Sequence, residues 1–349
     1  MADLFVGFPC YRDERAVETV RSILATCHLD VRIGIVLSGM YRQSGIYRGD
    51  AIYRGLAECH DKEVYDRLHA ELKDQLLYER LRSFPAVDVI SMPADEARGV
   101  VNARYILASL WEGERFVFLC DSHLSFDAGW SQSLVRQMES LSSPGVVTGP
   151  PVHVSVMSPP ARMSPHTKGS GRTHAVQIPI GWVKESHRGM PFWHLPYSGQ
   201  FLNLATTNPI PACMGSCGQW FASAEWMEAV PQNPFVNVQA EEATISARTW
   251  TAGFDLWHPR LAGVWETSEV SDTDRNCGIP RQRKEVPLRP AREEFGKRAG
   301  DAIMEGQDFG PLGLGSVRSM ADYVQHVDDY TETMAADYGL DLRHELYKP

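Results

Sequence analysis

Residues Phe116–Trp130 read FVFLCDSHLSFDAGW. The strand-forming run Phe116–Cys120 ends in Asp121-Ser122-His123, and a polar turn leads to Trp130 and a helical pattern. A short apolar run closed by polar residues is the mark of a strand buried on both faces. Residues i and i+2 of a strand point to the same side, so Asp121 and His123 are placed to share one divalent cation. A strand-ending Asp also caps turns, and a D-x-H triplet arises readily by chance, so the surrounding sequence has to decide between the two readings.

Outward from this stretch the first 150 residues alternate. Strands are predicted at Leu4–Pro9, Val31–Ser38, Val87–Ser91, Phe116–Cys120 and Gly145–Thr148. Helices are predicted at Glu14–Thr26, Asp61–Arg82, Arg98–Leu110 and Trp130–Leu141. That order implies an α/β fold with a mostly parallel central sheet and crossover helices on its faces. Ligands of such sheets bind beyond the carboxyl ends of the strands. Three polar clusters fall at such ends: Tyr11-Arg12-Asp13, Ser38–Arg42 and Asp121–His123.

The chain has 349 residues, 43% of them hydrophobic, enough for one large domain or two interleaved ones. Its formal charge of -10 does not suit a protein that coats nucleic acid or an anionic membrane. Between Arg275 and Arg298 the balance reverses, with eight Arg or Lys against three Glu. That run reads either as a solvated face or as an anion-binding flap. The cysteines (10, 27, 59, 120, 213, 217 and 277) are odd in number and scattered, as in a reduced, intracellular protein. Cys213 and Cys217 lack a second pair at zinc-finger spacing. Neither a signal peptide nor an apolar stretch of about 18 residues is apparent, so no membrane span is expected.

Past Gly149 the character changes. Gly149–Phe201 is rich in Pro, Ser, Gly and His, and its histidines show no metalloprotease-like spacing. Pro211–Ala222 returns to strand, and Ala240–Ala252 reads as a helix opening on Glu241-Glu242. Carboxylates at a helix start also serve simply to complement its dipole. A strand follows from Phe254, then a Pro- and Arg-rich loop, a helix near Ala291–Met304, a glycine-rich segment and a terminal helix at Met320–Tyr338.

Six blocks then fall in order: Phe5–Asp13 (FVGFPCYRD), Ala103-Arg104, Asp121–Trp130, Gly218–Pro234 (GQWFASAEWMEAVPQNP), Ala240–Pro259 (AEEATISARTWTAGFDLWHP) and Leu312–Tyr323 (LGLGSVRSMADY). With them the chain resembles the cytoplasmic hydroxyproline N-acetylglucosaminyltransferases and their bacterial and viral relatives, a GT-A group. It is more remotely similar to the polypeptide N-acetylgalactosaminyltransferases. The blocks span nearly the whole chain. Two departures stand out: Ser131 replaces the family's Asp after the Trp, and Ala240 replaces its Gly before the two glutamates.

The resemblance implies a GT-A-like fold with a metal site at the strands' carboxyl edge. It implies residues 1–150 as the nucleotide-sugar-binding half, 151–270 as the acceptor-binding half of the same catalytic domain, and 271–349 as a C-terminal flap with helices. Asp121 and His123 would hold Mn²⁺ or Mg²⁺. The family's third ligand, a His, falls near Glu266, with His258 as the competing candidate. Tyr11, Arg12, Asp13, Arg104, Asp121, Ser122 and Trp220 would bind the nucleotide sugar, and Arg104 has a structural alternative as a partner of Asp121. Glu241 and Glu242 would be the catalytic carboxylates. Trp220, Trp250 and Trp265 are candidates for stacking on sugars, with core packing as the alternative. The expected activity is metal-dependent, retaining transfer of GlcNAc or another hexose from a UDP-sugar to a protein hydroxyl in the cytoplasm (the host's, for a viral chain). The competing readings are transfer to hydroxymethylated bases of DNA and a non-catalytic sugar-binding protein. The donor sugar and the oligomeric state are not fixed by these patterns.

Overall fold

The computed structural model describes residues 2–40, 62–93, 96–149, 152–153, 173–179, 183–187, 190–194, 197–203, 208–260, 263–266 and 289–338. Tyr41, Arg42, Cys59, Cys277, much of the Gly149–Phe201 excursion and the first part of the Arg275–Arg298 run lie outside the described residues.

The first half follows the alternation. Strand β1 (Leu4–Tyr11), helix α1 (Ala16–Thr26), β2 (Val31–Met40), α2 (Lys62–Arg82), β3 (Val87–Pro93), α3 (Val100–Leu107) and β4 (Phe116–Cys120) follow in turn. Next come β5 (Leu124–Phe126), α4 (Trp130–Glu139), β6 (Gly145–Thr148) and β7 (Val152–His153). Two antiparallel hairpin pairs follow: β8 (Thr173–Pro179) with β11 (Tyr197–Asn203), and β9 (Val183–His187) with β10 (Met190–His194). The chain then forms β12 (Ile210–Ala212), β13 (Gln219–Ser223), α5 (Ala224–Ala229), α6 (Val238–Thr251), β14 (Asp255–His258), β15 (Val264–Glu266), α7 (Arg289–Met304) and α8 (Met320–Tyr338).

Eight strands form one sheet in the order β12-β14-β6-β13-β4-β1-β2-β3. Four neighbouring pairs run parallel and three antiparallel. The sheet is therefore mixed, parallel throughout the β3–β4 half and mainly antiparallel beyond it. Pro211–Ala222, expected as one return to strand, is two strands separated by the loop 213–218.

Both faces of the sheet are covered, and the residue pattern shows why. On β4, Phe116, Phe118 and Cys120 join a core with Leu4, Val6 and Phe8 of β1 and with Val17, Val20 and Ile23 of α1. Val117 and Leu119 point the other way, to Phe5, Trp220, Trp226 and Ile245. All five β4 residues are buried, as an uninterrupted apolar strand requires.

Strand order also fixes where a ligand belongs. From β1 the chain steps to β2 and β3, then returns to β4 on the other side of β1. The carboxyl ends of β1 and β4 thus flank a topological switch point, where crossovers leave in opposite directions and open a crevice. Tyr11-Arg12-Asp13 and Asp121-Ser122-His123 stand at those two ends.

One segment departs from its expectation. Leu124–Phe126, read as a polar turn, is a strand that pairs antiparallel with β15 (Leu124 opposite Glu266), and β15 pairs in parallel with β7. Three residues carry too little periodicity to show a strand; the partner 140 or so positions away creates it.

Candidate active site

His123 is the centre of the polar cluster at the switch point. Its Nδ1 lies 3.3 Å from Asp13 Oδ2 and its Nε2 3.4 Å from Glu266 Oε1. The pairing of β5 with β15 brings Glu266 there. His258 is placed elsewhere: it is fully buried on β14, with Nδ1 3.0 Å from the Thr148 carbonyl. Of the two candidates, Glu266 is the one in contact with His123.

Asp13, expected against a nucleoside, is engaged by neighbouring side chains of the protein. Arg15 grips it through Nε (2.8 Å) and Nη2 (2.9 Å), and the Ser122 hydroxyl donates to it at 3.1 Å. Burial alone would raise its pKa, but the hydrogen bonds from His123 and Arg15 hold it well below the usual carboxylate range. Ser122, another expected donor contact, is buried and bonded to Asp13 in the same way. Burial works against charge on His123, yet the bonds to Asp13 and Glu266 and the charge of Asp121 raise its pKa to about 9.

Tyr11 and Arg12 complete the end of β1. Arg12 has a left-handed backbone (φ 52), an ion pair to Asp74 of α2 at 3.3 Å and a place over the Tyr11 ring at 5.6 Å. Its guanidinium thus faces α2, a contact that the sequence does not announce.

A second carboxylate group lies beside Asp121. Arg104, buried on α3, donates from Nη2 to Asp121 Oδ1 (3.2 Å) and to the Cys217 carbonyl (2.7 Å), and from Nη1 to Glu241 Oε1 (2.6 Å). Arg104 is thus a structural partner of Asp121. Burial opposes its charge, and the charges of Glu241 and Asp121 more than offset this. Asp121 and Glu241 are both raised by burial, partly countered by Arg104.

Helix α6 sets the two glutamates apart. The Asn237 side chain caps it by accepting from the Ala240 N–H at 3.1 Å, which puts both in the first turns. Glu241 is buried and ion-paired to Arg104. Glu242 is half-buried, accepts a hydrogen bond from the Cys217 N–H at 3.0 Å, and is raised by burial to about 7. The loop between β12 and β13 is thus the hub: its Cys217 offers the carbonyl to Arg104 and the N–H to Glu242. No sequence signal marked Cys217 for this, because the two contacts that make it the hub are backbone ones.

The tryptophans divide. Trp220, expected on the sugar, is buried and stacked on Trp226 at 5.5 Å. A Cβ at Gly215 would come within 2.5 Å of its ring. It packs as a core residue because β13 is sandwiched inside the sheet, the packing alternative expected for it. Trp250 sits between Tyr323, His326 and the Arg318 guanidinium. Trp265 remains partly exposed and donates to Asp127 at 2.7 Å.

Asp121, His123 and Glu266 offer two carboxylates and an imidazole, a donor set that suits Mn²⁺ or Mg²⁺. Three acidic side chains crowd one imidazole, and a cation would relieve that repulsion. Among the described residues no three His, Cys, Asp or Glu side chains already converge on a single point.

A family model described as Glycosyltransferase (GlcNAc) matches residues 3–330. No curated protein matches the sequence. Among solved structures, the chain is similar to GalNAc-T7 with UDP, GalNAc and Mn²⁺ at 12% identity and a TM-score of 0.49, over 99% of this chain and 58% of that one. It thus spans less than two thirds of that chain's length. It is also similar to the mannosyltransferase PcManGT from Pyrobaculum calidifontis, in complex with GDP-Man and Mn²⁺ (12% identity, TM-score 0.42, 100% of this chain and 81% of that one). A third is S. aureus TarS 1-349 in complex with UDP-GlcNAc (10% identity, TM-score 0.41, 95% and 85%).

Proposed function

The chain belongs to the GlcNAc glycosyltransferase family, and from that premise we propose that it moves a sugar, GlcNAc or another hexose, from a UDP-sugar to a protein hydroxyl, with retention and with a divalent cation. The observation that carries the reading is the placement of His123 against Glu266 and beside Asp121 at the switch point of the sheet.

Asp121, His123 and Glu266 would hold the cation. When bound, it would supply Lewis-acid stabilisation of the charge that develops on the leaving diphosphate. The protein's part is preorganisation. Asp13 engages Nδ1 of His123, which fixes the ring and turns Nε2 toward Glu266. Arg104 holds one oxygen of Asp121 and leaves the other to a ligand, while Glu241 keeps Arg104 in place. Glu242 is the carboxylate left for substrate. Titrating near neutrality, it would accept a hydrogen bond from a sugar or acceptor hydroxyl and steer it to the anomeric carbon.

No described helix is long and apolar enough to cross a membrane. In keeping with the resemblance, we place the acceptor on a cytoplasmic protein.

The test is a screen of nucleotide sugars for Mn²⁺-dependent hydrolysis, with mass spectrometry of candidate acceptors. The wild type should hydrolyse at least one UDP-sugar, and Asp121→Ala should abolish this while the circular dichroism spectrum stays the same. Full activity in Asp121→Ala would overturn the assignment.

A further inference from the structure

Strand β5, which follows His123 directly, has β15 on one edge and a helix on the other. A helix has no free backbone groups along its side to pair with a strand edge. Side chains of α1 take that role. The Thr19 hydroxyl accepts from the Leu124 N–H at 3.0 Å, and lies 2.8 Å from the Ser122 carbonyl and 2.9 Å from the Leu124 carbonyl, sharing its one proton between them. One turn on, the Ser22 hydroxyl accepts from the Phe126 N–H at 2.8 Å and faces the Phe126 carbonyl at 3.4 Å. The two residues are i and i+3 on one helix face and meet alternate strand residues, Leu124 and Phe126.

Thr19 is 1% exposed, and its partners lie on either side of His123. We propose that Thr19 is a positioning residue: its hydroxyl clamps the backbone on both sides of His123, and through the Leu124–Glu266 pairing it sets the spacing of the imidazole from Glu266. A backbone held at residues 122 and 124 leaves the His123 ring only its side-chain torsions, which Asp13 then fixes. The proposal rests on the metal reading above for its effect on binding, and on geometry alone for its effect on the backbone.

The experiment uses Thr19→Val, which keeps the shape and removes the hydroxyl, and Thr19→Ser, which keeps the hydroxyl. Mn²⁺ binding is measured by calorimetry, and exchange of the Leu124 amide by hydrogen–deuterium exchange. Thr19→Val should bind Mn²⁺ about tenfold more weakly, at the lower end of what outer-shell changes do, and should expose the Leu124 amide. Thr19→Ser should restore both, which separates positioning from loss of packing. Wild-type Mn²⁺ affinity in a folded Thr19→Val protein would overturn the proposal. Wild-type protein that binds no Mn²⁺ would instead sink the metal reading. In that event the Leu124 amide decides alone, and unchanged exchange in Thr19→Val overturns the clamp.

Discussion

Adjacent glutamates on α6 illustrate how far chemistry depends on one residue's surroundings. Glu241 faces Arg104 in the interior, whereas Glu242 faces the loop at Cys217. Glu241→Ala would leave a buried guanidinium with Asp121 as its remaining counter-charge, and breaking such a pair destabilises by about 3–5 kcal/mol. Urea unfolding should therefore show a large loss in Glu241→Ala and a small one in Glu242→Gln. For Glu242 the folded pKa, about 7, lies above the ordinary carboxylate value. Its protonated form is the one that the fold favours, so its contribution to stability is full below about pH 4.3 and fades as pH rises to about 7. Transferase activity should follow the opposite limb and rise through pH 7 as the carboxylate forms. Glu242→Gln should lose activity and the limb together, and an unaltered limb would assign the titration to another group. Trp220 gives the converse case. Trp220→Ala should cost about 3–5 kcal/mol of stability and leave the donor KM of the surviving folded fraction unchanged.

Between elements, the contacts that matter join segments far apart in sequence. The loop before α8 closes the end of α6: the Gly315 N–H donates to the Thr251 hydroxyl at 2.9 Å, and the Val317 and Arg318 N–H groups reach the Thr251 carbonyl at 2.9 and 3.1 Å. Arg248, whose pKa burial lowers to about 10, ties the same loop down through the Gly313 and Pro311 carbonyls and also holds the Pro231 carbonyl of the segment between α5 and α6. A Cβ at Gly315 would sit 2.4 Å from the backbone of Ala252, where no side chain can swing aside. Gly315→Ala should thus destabilise by about 1–3 kcal/mol, read as a lower melting temperature. An unshifted melting temperature would mean that the loop is not packed against α6 as described. Beside the site, the β5–β15 pair and the hydroxyls of α1 play the matching role of holding the two halves of a cluster in register.

Over the whole molecule, the apolar cores on the two faces of the sheet carry the fold, and the acidic cluster sits at its rim. Removing a cation from that rim should leave the secondary structure intact. A cation bound only by the folded state should still raise stability, by about 2.7 kcal/mol at a hundred times its Kd. Thermal unfolding with Mn²⁺ and with a chelator should show that shift in the wild type and not in Asp121→Ala. An equal shift in both would place the ion elsewhere.

Periodicity and punctuation in the sequence determined the order of strands and helices in the first half, the polar clusters at the ends of β1 and β4, and the donor types at Asp121 and His123. These are local properties: a buried strand needs an unbroken apolar run, and a helix needs its cap and stripe, whatever else the chain does. Tertiary structure alone decided the partners. It buried Trp220 by placing β13 inside the sheet, turned Asp13 onto His123, set Glu266 rather than His258 against His123 by pairing β15 with β5, and gave Glu241 to Arg104 across 137 positions of chain. A carboxylate's role depends on which charge and how much water surround it. Both are set by segments that meet only in the folded chain.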